Sequence, residues 1–295
     1  MFCDLHTHST ASDGTETPSE VVRLARRGRI AVLALTDHDT FEGVPEAVDA
    51  GRKQGVHVVA GAELSIPHAK GGFHLIALGV DIENHEIRAV AEALRGARGP
   101  RNAAMIGKLR DLGVDISLAE VEEEAGGADG VVARPHMATV LLRKGVVRSF
   151  QEAFDRYLGR GAAAYVERER PDLAAAVAAT RAAGGATVVC HPFTLGFEVP
   201  GDPEGDRRFR AWLAGVAQAG VDALEVRYGS YTKRQERYFT EAAAEAGLLP
   251  SGGSDFHGAI KPGLRVGSGR GRMRVPVAWF EALSERAASR PRASS

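Results

Sequence analysis

The chain has 295 residues, with 37 Lys and Arg against 38 Asp and Glu and a formal net charge of −1, a balance that argues against a long nucleic acid as partner. With 44% hydrophobic and 25% charged residues, it reads as a globular protein large enough for a barrel of about 200–250 residues plus an insertion. Two cysteines make no disulfide framework, no basic leader precedes Phe2, and no apolar run reaches the roughly 18–20 residues of a membrane span, so a cytoplasmic protein with no membrane partner is expected.

In chain order, residues 2–5 form a first strand that delivers His6-Thr7-His8. On extended chain, residues two apart project to one side, so both imidazoles can meet one divalent cation. Asp13, past a short turn, adds a hard oxygen. Alone, the pair reads equally well as two surface histidines. Thr17-Pro18-Ser19-Glu20 opens a helix, with Thr17 as cap, Pro18 in the first turn, Glu20 closing a capping box and Gly28 ending it. Ala31 to Leu35 is a continuous apolar run, as in a parallel strand covered on both faces, and it leads into Thr36-Asp37-His38-Asp39. A helix over 43–54 stops at Gly55, and strands follow at Val56–Ala62, before Glu63, and at Phe73–Val80, which includes His74.

Residues 96–165 break the alternation. Short helices at Ala103–Leu112, Leu118–Ala125, Pro135–Lys144 and Phe150–Leu158 read as an insertion lying over the barrel mouth. Most of its many Arg and Lys side chains read as solvated helix faces. Arg134-Pro135-His136 differs, because Pro in a first helical turn would aim Arg134 and His136 at an anion, and a guanidinium suits a phosphate bidentately. Asn102 and Lys108, on the preceding helix, are lesser candidates for the same ligand.

The alternation resumes with a helix at Asp172–Ala183, the strand Ala186–Cys190 leading to His191, a helix at Phe209–Ala219, and the strand Val221–Val226, after which Arg227 and Tyr228 should stand at the mouth. Thr232-Lys233-Arg234-Gln235 is a second capping box, opening a helix that ends at Gly247. Leu248–Ser251 is a last strand, running into Ser254-Asp255-Phe256-His257. About seven strands with polar side chains gathered at their C-terminal ends is how an α/β barrel builds an active site. The expected organisation is a barrel over 1–95 and 166–285, an insertion over 96–165 and a frayed Arg/Ser-rich tail over 286–295.

His6-Thr7-His8-Ser9, Thr36-Asp37-His38-Asp39, Glu63, Cys190-His191-Pro192 and Ser254-Asp255-Phe256-His257-Gly258, in this order, resemble the PHP (polymerase and histidinol phosphatase) family. The resemblance implies a distorted (β/α)7 barrel with a small helical insertion, and two or three divalent cations, manganese first, with iron or zinc as alternatives. It implies that His6, His8, Glu63 and Asp255 hold one cation, that Glu63 with His74 and His191 holds a second, and that Asp13, His38 and His257 hold a third. Some members have His where this chain has Asp13. A mixed N/O donor set suits such metals. Asp37 and Asp39 are expected to orient ligand imidazoles. His57, His68 and His85 read as ordinary structural histidines and Cys190 as a packed thiol.

The implied activity is phosphoester hydrolysis, in which the cations activate water and hold the phosphate oxygens. Asp255 and His191 are the expected catalytic groups, with the leaving alkoxide taking its proton from a metal-bound water or from His191. The arrangement resembles the subgroup of 3′,5′-nucleotide bisphosphatases and 5′→3′ exoribonucleases. That implies a small nucleotide or short oligonucleotide as partner, with adenosine 3′,5′-bisphosphate as substrate. Short 5′-phosphorylated RNA, histidinol phosphate and a metal-binding module without turnover are the alternatives.

Overall fold

The computed structural model describes residues 1–67, 72–96, 98–125, 134–166 and 171–290. Its first half runs β1 (Phe2–Asp4), α1 (Pro18–Arg27), β2 (Ile30–Leu35), α2 (Val44–Gln54), β3 (His57–Ile66), β4 (Phe73–Leu78) and α3 (His85–Gly96). The helical stretch follows as α4 (Arg98–Asp111), α5 (Leu118–Glu124), α6 (Arg134–Arg143) and α7 (Phe150–Ala153), the last continuing into a π-helical turn over Phe154–Leu158. The second half is α8 (Leu173–Ala182), β5 (Ala186–Val189), α9 (Pro203–Gln218), β6 (Ala223–Tyr228), α10 (Lys233–Glu245), β7 (Leu249–Gly253), β8 (Val275–Pro276) and α11 (Val277–Ala288).

Local chemistry accounts for these boundaries. Thr17, Asp172 and Thr232 cap α1, α8 and α10 by accepting from backbone N–H groups three residues on. The box at Thr232 is complete, Gln235 answering the cap backbone. The box expected at Thr17 is half made, because Glu20 pairs with Arg23 instead. Gly55 ends α2 in the left-handed region with φ 68°.

The sheet order is β7-β6-β5-β4-β3-β2-β1-β8. Pairs β1–β2, β2–β3, β5–β6 and β6–β7 are parallel, whereas β4 runs antiparallel to both neighbours. Backbone bonds from Leu5 N to Gly252 O, Asp255 N to His6 O and His8 N to Phe256 O tie the chain after β1 to β7 and bring the two ends of the ring together. β8 pairs antiparallel with the start of β1 and is the last strand of the eight-stranded sheet. The interior is apolar, with Leu5, Val32, Ile76, Leu78, Val188 and Val275 packed in one cluster.

Two compact units result, residues 1–92 with 171–295, and 93–170. The second has its own core, built on Met105, Leu109, Ile116, Met137, Leu141 and Leu158. Two helices were not foreseen, α3 and α11, and neither were the pair Val275–Pro276 nor the first six residues of α9. The frayed tail expected from residue 286 is corrected in its first part. Arg286 to Ala288 complete α11, and Arg290 forms an ion pair with the buried Asp222; residues 291–295 lie outside the described residues. Among the described residues, no helix is long and apolar enough to cross a membrane.

Candidate metal centre

The strand ends of the first unit place His6, His8, Asp13, His38, Glu63, His74, His191, Asp255 and His257 in one assembly. Glu63, with its carboxylate 1% exposed, is at its centre. Its Oε2 lies 3.2 Å from His6 Nε2, 3.0 Å from His8 Nε2 and 3.4 Å from His38 Nδ1. Its Oε1 lies 2.7 Å from both His74 Nδ1 and His191 Nε2. Asp255 Oδ1 stands 3.5 Å from His6 Nε2 and 3.4 Å from His8 Nε2. Asp13, half exposed, faces His8 Nδ1 at 3.6 Å, His38 Nε2 at 3.5 Å and His257 Nε2 at 3.3 Å. The set around Asp13 therefore includes His8 as well as the two histidines expected there.

Not all these side chains sit at C-terminal strand ends. His74 is the second residue of β4, which reaches the same rim with its N-terminal end because β4 is reversed.

Several imidazoles have their orientation set from behind. His6 Nδ1 donates to Glu225 Oε1 at 3.0 Å, and His257 Nδ1 donates to the Asp255 carbonyl at 2.9 Å. His191 Nδ1 lies 3.3 Å from Thr194 Oγ1, whose own proton goes to the His191 carbonyl. Each of these rings thus turns its Nε2 lone pair into the assembly, as a metal-bound histidine requires. Asp255 is held likewise. Its Oδ2 accepts from Tyr228 Oη at 2.6 Å and pairs with Lys261, which leaves Oδ1 facing the histidines.

The donors fit a divalent cation. Among the described residues, the few buried polar side-chain atoms without hydrogen-bond geometry include His8 Nδ1, His74 Nδ1 and Asp255 Oδ1, all in this assembly. His6 Nε2 and His8 Nε2 face each other at 3.1 Å, an arrangement of two lone-pair nitrogens that only a shared proton or cation relieves. Ligand bonds of about 2.0–2.2 Å put neighbouring donors roughly 3.0–3.6 Å apart, which is the spacing seen around Glu63 Oε2, Asp255 and Asp13, while His74 Nδ1 and His191 Nε2 stand closer to Glu63 Oε1, at 2.7 Å. Burial disfavours charge on Glu63 and Asp255, yet the surrounding imidazoles outweigh it and hold both carboxyls below their usual range. For His6 and His8 burial works against protonation, but the facing carboxylates prevail, lifting His6 well above its ordinary value and His8 to about 9. His38 goes the other way, to about 4, chiefly through burial.

A relative from Haemophilus influenzae named 5′-3′ exoribonuclease is 34% identical over 254 residues, spanning 86% of this chain and 89% of that protein. A relative from Chromobacterium violaceum named 3′,5′-nucleoside bisphosphate phosphatase is 31% identical, spanning 90% of each chain. The family model described as the PHP domain matches residues 4–94. This chain belongs to the PHP family. It is a metal-dependent phosphoesterase, and a crystal structure from Bifidobacterium adolescentis, assigned as a metal-dependent phosphoesterase, overlays it with a TM-score of 0.67 at 29% identity over 96% of each chain.

Other expected positions in this PHP enzyme fall differently. Asp37 braces the loop carrying Asp13, accepting from Ser9 N, Ser9 Oγ and Ser12 Oγ, whereas Asp39 accepts from Ser65 N and Oγ and its charge acts on the His74 imidazole. Glu225 has the orienting role, and its one signal in the sequence was an acidic residue within an apolar strand. Tyr228 faces the centre, whereas Arg227 lies over the Trp279 ring at 4.7 Å and donates to the Arg274 carbonyl. A bulge between Glu225 and Arg227 shifts the strand's alternation, so Glu225 and Tyr228 share the inner side. Lys261, unassigned in the sequence, reaches the centre from the loop after His257.

In the helical unit, Asn102 is 3% exposed, on the α4 stripe that buries Met105, Ile106 and Leu109, so it offers a ligand little surface. Lys108 Nζ donates to the Tyr165 carbonyl. Arg134 donates to the Leu158 carbonyl at 3.2 Å and lies over the Phe154 and Tyr165 rings. His136 is half-buried in α6. Of the three histidines read as structural, His57 tilts against Phe280 and His85 opens α3, while His68 lies outside the described residues. The Cys190 thiol is pushed well above its ordinary pKa by burial and then by Glu63.

Proposed function

We propose that this PHP enzyme removes the 3′-phosphate of a nucleoside 3′,5′-bisphosphate. The carrying observation is Glu63, whose two oxygens face two different sets of imidazoles, the arrangement that lets one carboxylate serve adjacent cations. We assign His6, His8, Glu63 and Asp255 to one cation, Glu63, His74 and His191 to a second, and Asp13, His38 and His257 to a third. Bound there, the cations supply Lewis acidity toward phosphate oxygens and a water acidified toward neutrality.

The chain's own groups do the rest. Glu225, Thr194 and the Asp255 carbonyl keep three rings aimed inward; Tyr228 and Lys261 fix Asp255. Lys261 also carries a positive charge and a proton to the rim, where a leaving alkoxide needs one. His191 already turns Nε2 to Glu63, so we assign it to metal binding in preference to proton donation.

A nucleoside is favoured over a smaller phosphate by the aromatic edge of the mouth. Phe193, 38% exposed, is held against Tyr228 and Tyr231 with ring centroids at 5.3 and 5.6 Å, and Tyr228 is the residue bound to Asp255. A base stacked on such a face gains about 1–3 kcal/mol. We assign the second phosphate to Arg134 and His136. A guanidinium carries five N–H donors, so its bond to Leu158 does not preclude holding an anion.

The names of the two relatives support this substrate in one case and an RNA degraded in the 5′-3′ direction in the other. Steady-state rates on adenosine 3′,5′-bisphosphate, a 5′-phosphorylated dinucleotide, 3′-AMP and histidinol phosphate separate the readings. The bisphosphate should have the highest kcat/KM. Arg134→Ala should lower that value roughly 10–150-fold, the loss of one charged hydrogen bond, and spare 3′-AMP. Equal loss on both substrates removes Arg134 from the second grip, and a preference for the dinucleotide makes the enzyme an exonuclease.

A further inference from the structure

We propose that Cys190 is a metal ligand. Its Sγ joins Glu63 and His191 at the second of the cations assigned above, with His6 also within reach, and makes that position softer than the nitrogen–oxygen set implied by the family resemblance. The inference rests on the reading of the assembly as a metal centre.

Four donor atoms, one from each of His6, Glu63, Cys190 and His191, lie within 4.8 Å of one another, and all four residues are buried. The sulfur is 3.3 Å from Glu63 Oε1, the oxygen that His191 Nε2 meets at 2.7 Å. Consecutive residues of a strand normally point to opposite faces. Cys190 continues β5, its N–H bonded to the His74 carbonyl. His191 then leaves extended geometry at φ 31°, ψ 57°, a left-handed conformation that costs a non-glycine residue on the order of 1–3 kcal/mol. The consequence is that Cys190 and His191 reach the same carboxylate oxygen from adjacent positions. Independent of the sulfur, Asp255 Oδ1 and His8 Nδ1 are buried in the same assembly without hydrogen-bond partners, which shows that it is built for a ligand.

A thiol that merely filled space would be placed as Cys3 is. Cys3 belongs to the same apolar cluster, but its sulfur reaches only the Pro276 carbonyl at 3.4 Å. Cys190 has that apolar packing and a carboxylate besides. On binding a divalent cation its S–H bond breaks, an S–metal bond forms and the proton passes to buffer, with no change of oxidation state. Thiolate favours zinc and iron over manganese and magnesium, so this position would select among metals by softness.

Cobalt(II) chloride, titrated into chelator-stripped protein, reads the bond directly through the near-ultraviolet thiolate-to-cobalt charge-transfer absorption. The wild type should develop the band to one thiolate per chain. Cys3→Ser, in which Cys190 is the remaining thiol of the two in the chain, should keep it, and Cys190→Ser should lose it while still binding cobalt. The Cys3→Ser result decides the matter even if Cys190→Ser does not fold. Cobalt bound by the wild type without the band overturns the thiolate ligand and leaves the metal centre standing. No cobalt bound at all overturns the metal centre itself.

Discussion

Glu225 is the residue whose role is most sharply defined by its contacts. Its carboxylate takes His6 Nδ1–H through one oxygen and the His191 N–H, at 2.6 Å, through the other, so two proposed ligands from different strands depend on it. Orienting carboxylates of this kind are worth about 10–100-fold in metal affinity. Glu225→Gln should weaken metal binding by about that factor, measured by competition with a chelator, while the melting curve of the metal-free protein stays cooperative. Unchanged affinity would reduce Glu225 to a packing role. The histidines make a second prediction at this scale. Without metal, His6 and His8 hold protons near neutrality, His8 up to about 9. A cation takes the lone pair that the proton occupies, so binding must release protons. Affinity should therefore rise with pH from 6 toward about 9, with proton release visible in a weakly buffered indicator assay. Tighter binding at pH 6 than at pH 8 would contradict this assignment.

Among the elements, the junction of β1 and β7 holds the ring together, and it depends on Gly253. A Cβ added there would lie 2.2 Å from His6 Cβ and 2.5 Å from His6 N. Neither atom is the yielding end of a long side chain, so the strands must part. Gly253→Ala should cost about 1–3 kcal/mol of stability, as overpacking does, and weaken metal binding, because His6 moves with the backbone. Urea unfolding with and without metal checks both; a midpoint equal to the wild type would show that the junction tolerates the displacement. The reversed β4 and the bulged β6 show why element placement was only partly legible. Apolar runs marked both strands, but a strand's direction depends on its neighbours, and a bulge depends on the ladder it interrupts.

For the whole molecule, the proposed donors all belong to the unit formed by residues 1–92 and 171–295, and the unit of 93–170 has a core of its own. A ligand that binds only the folded state stabilises what it binds, by about 2.7 kcal/mol at one hundred times its dissociation constant. Hydrogen exchange should therefore slow on adding metal in β1 to β7, by up to the corresponding factor, and keep its rate in α4 to α6. Slowing of α4 to α6 by the same factor would make the two units one cooperative body.

The sequence by itself determined the chemistry. Histidines and carboxylates just past apolar runs, in the order His6, His8, His38, Glu63, His191, Asp255 and His257, mark a polar site where a barrel gathers such groups, and their resemblance to the PHP family implies metal-dependent phosphoester hydrolysis. Capping residues likewise announced α1 and α10, since a cap is a local contact. Tertiary structure alone decided which atom of each ligand faces inward. That depends on partners far away in the chain, as with Glu225 behind His6 and Tyr228 beside Asp255. It also decided that Arg227 points away from the centre and that Cys190 points into it. One bulge and one left-handed residue reverse the alternation that sequence spacing assumes, and neither leaves a mark in composition or period.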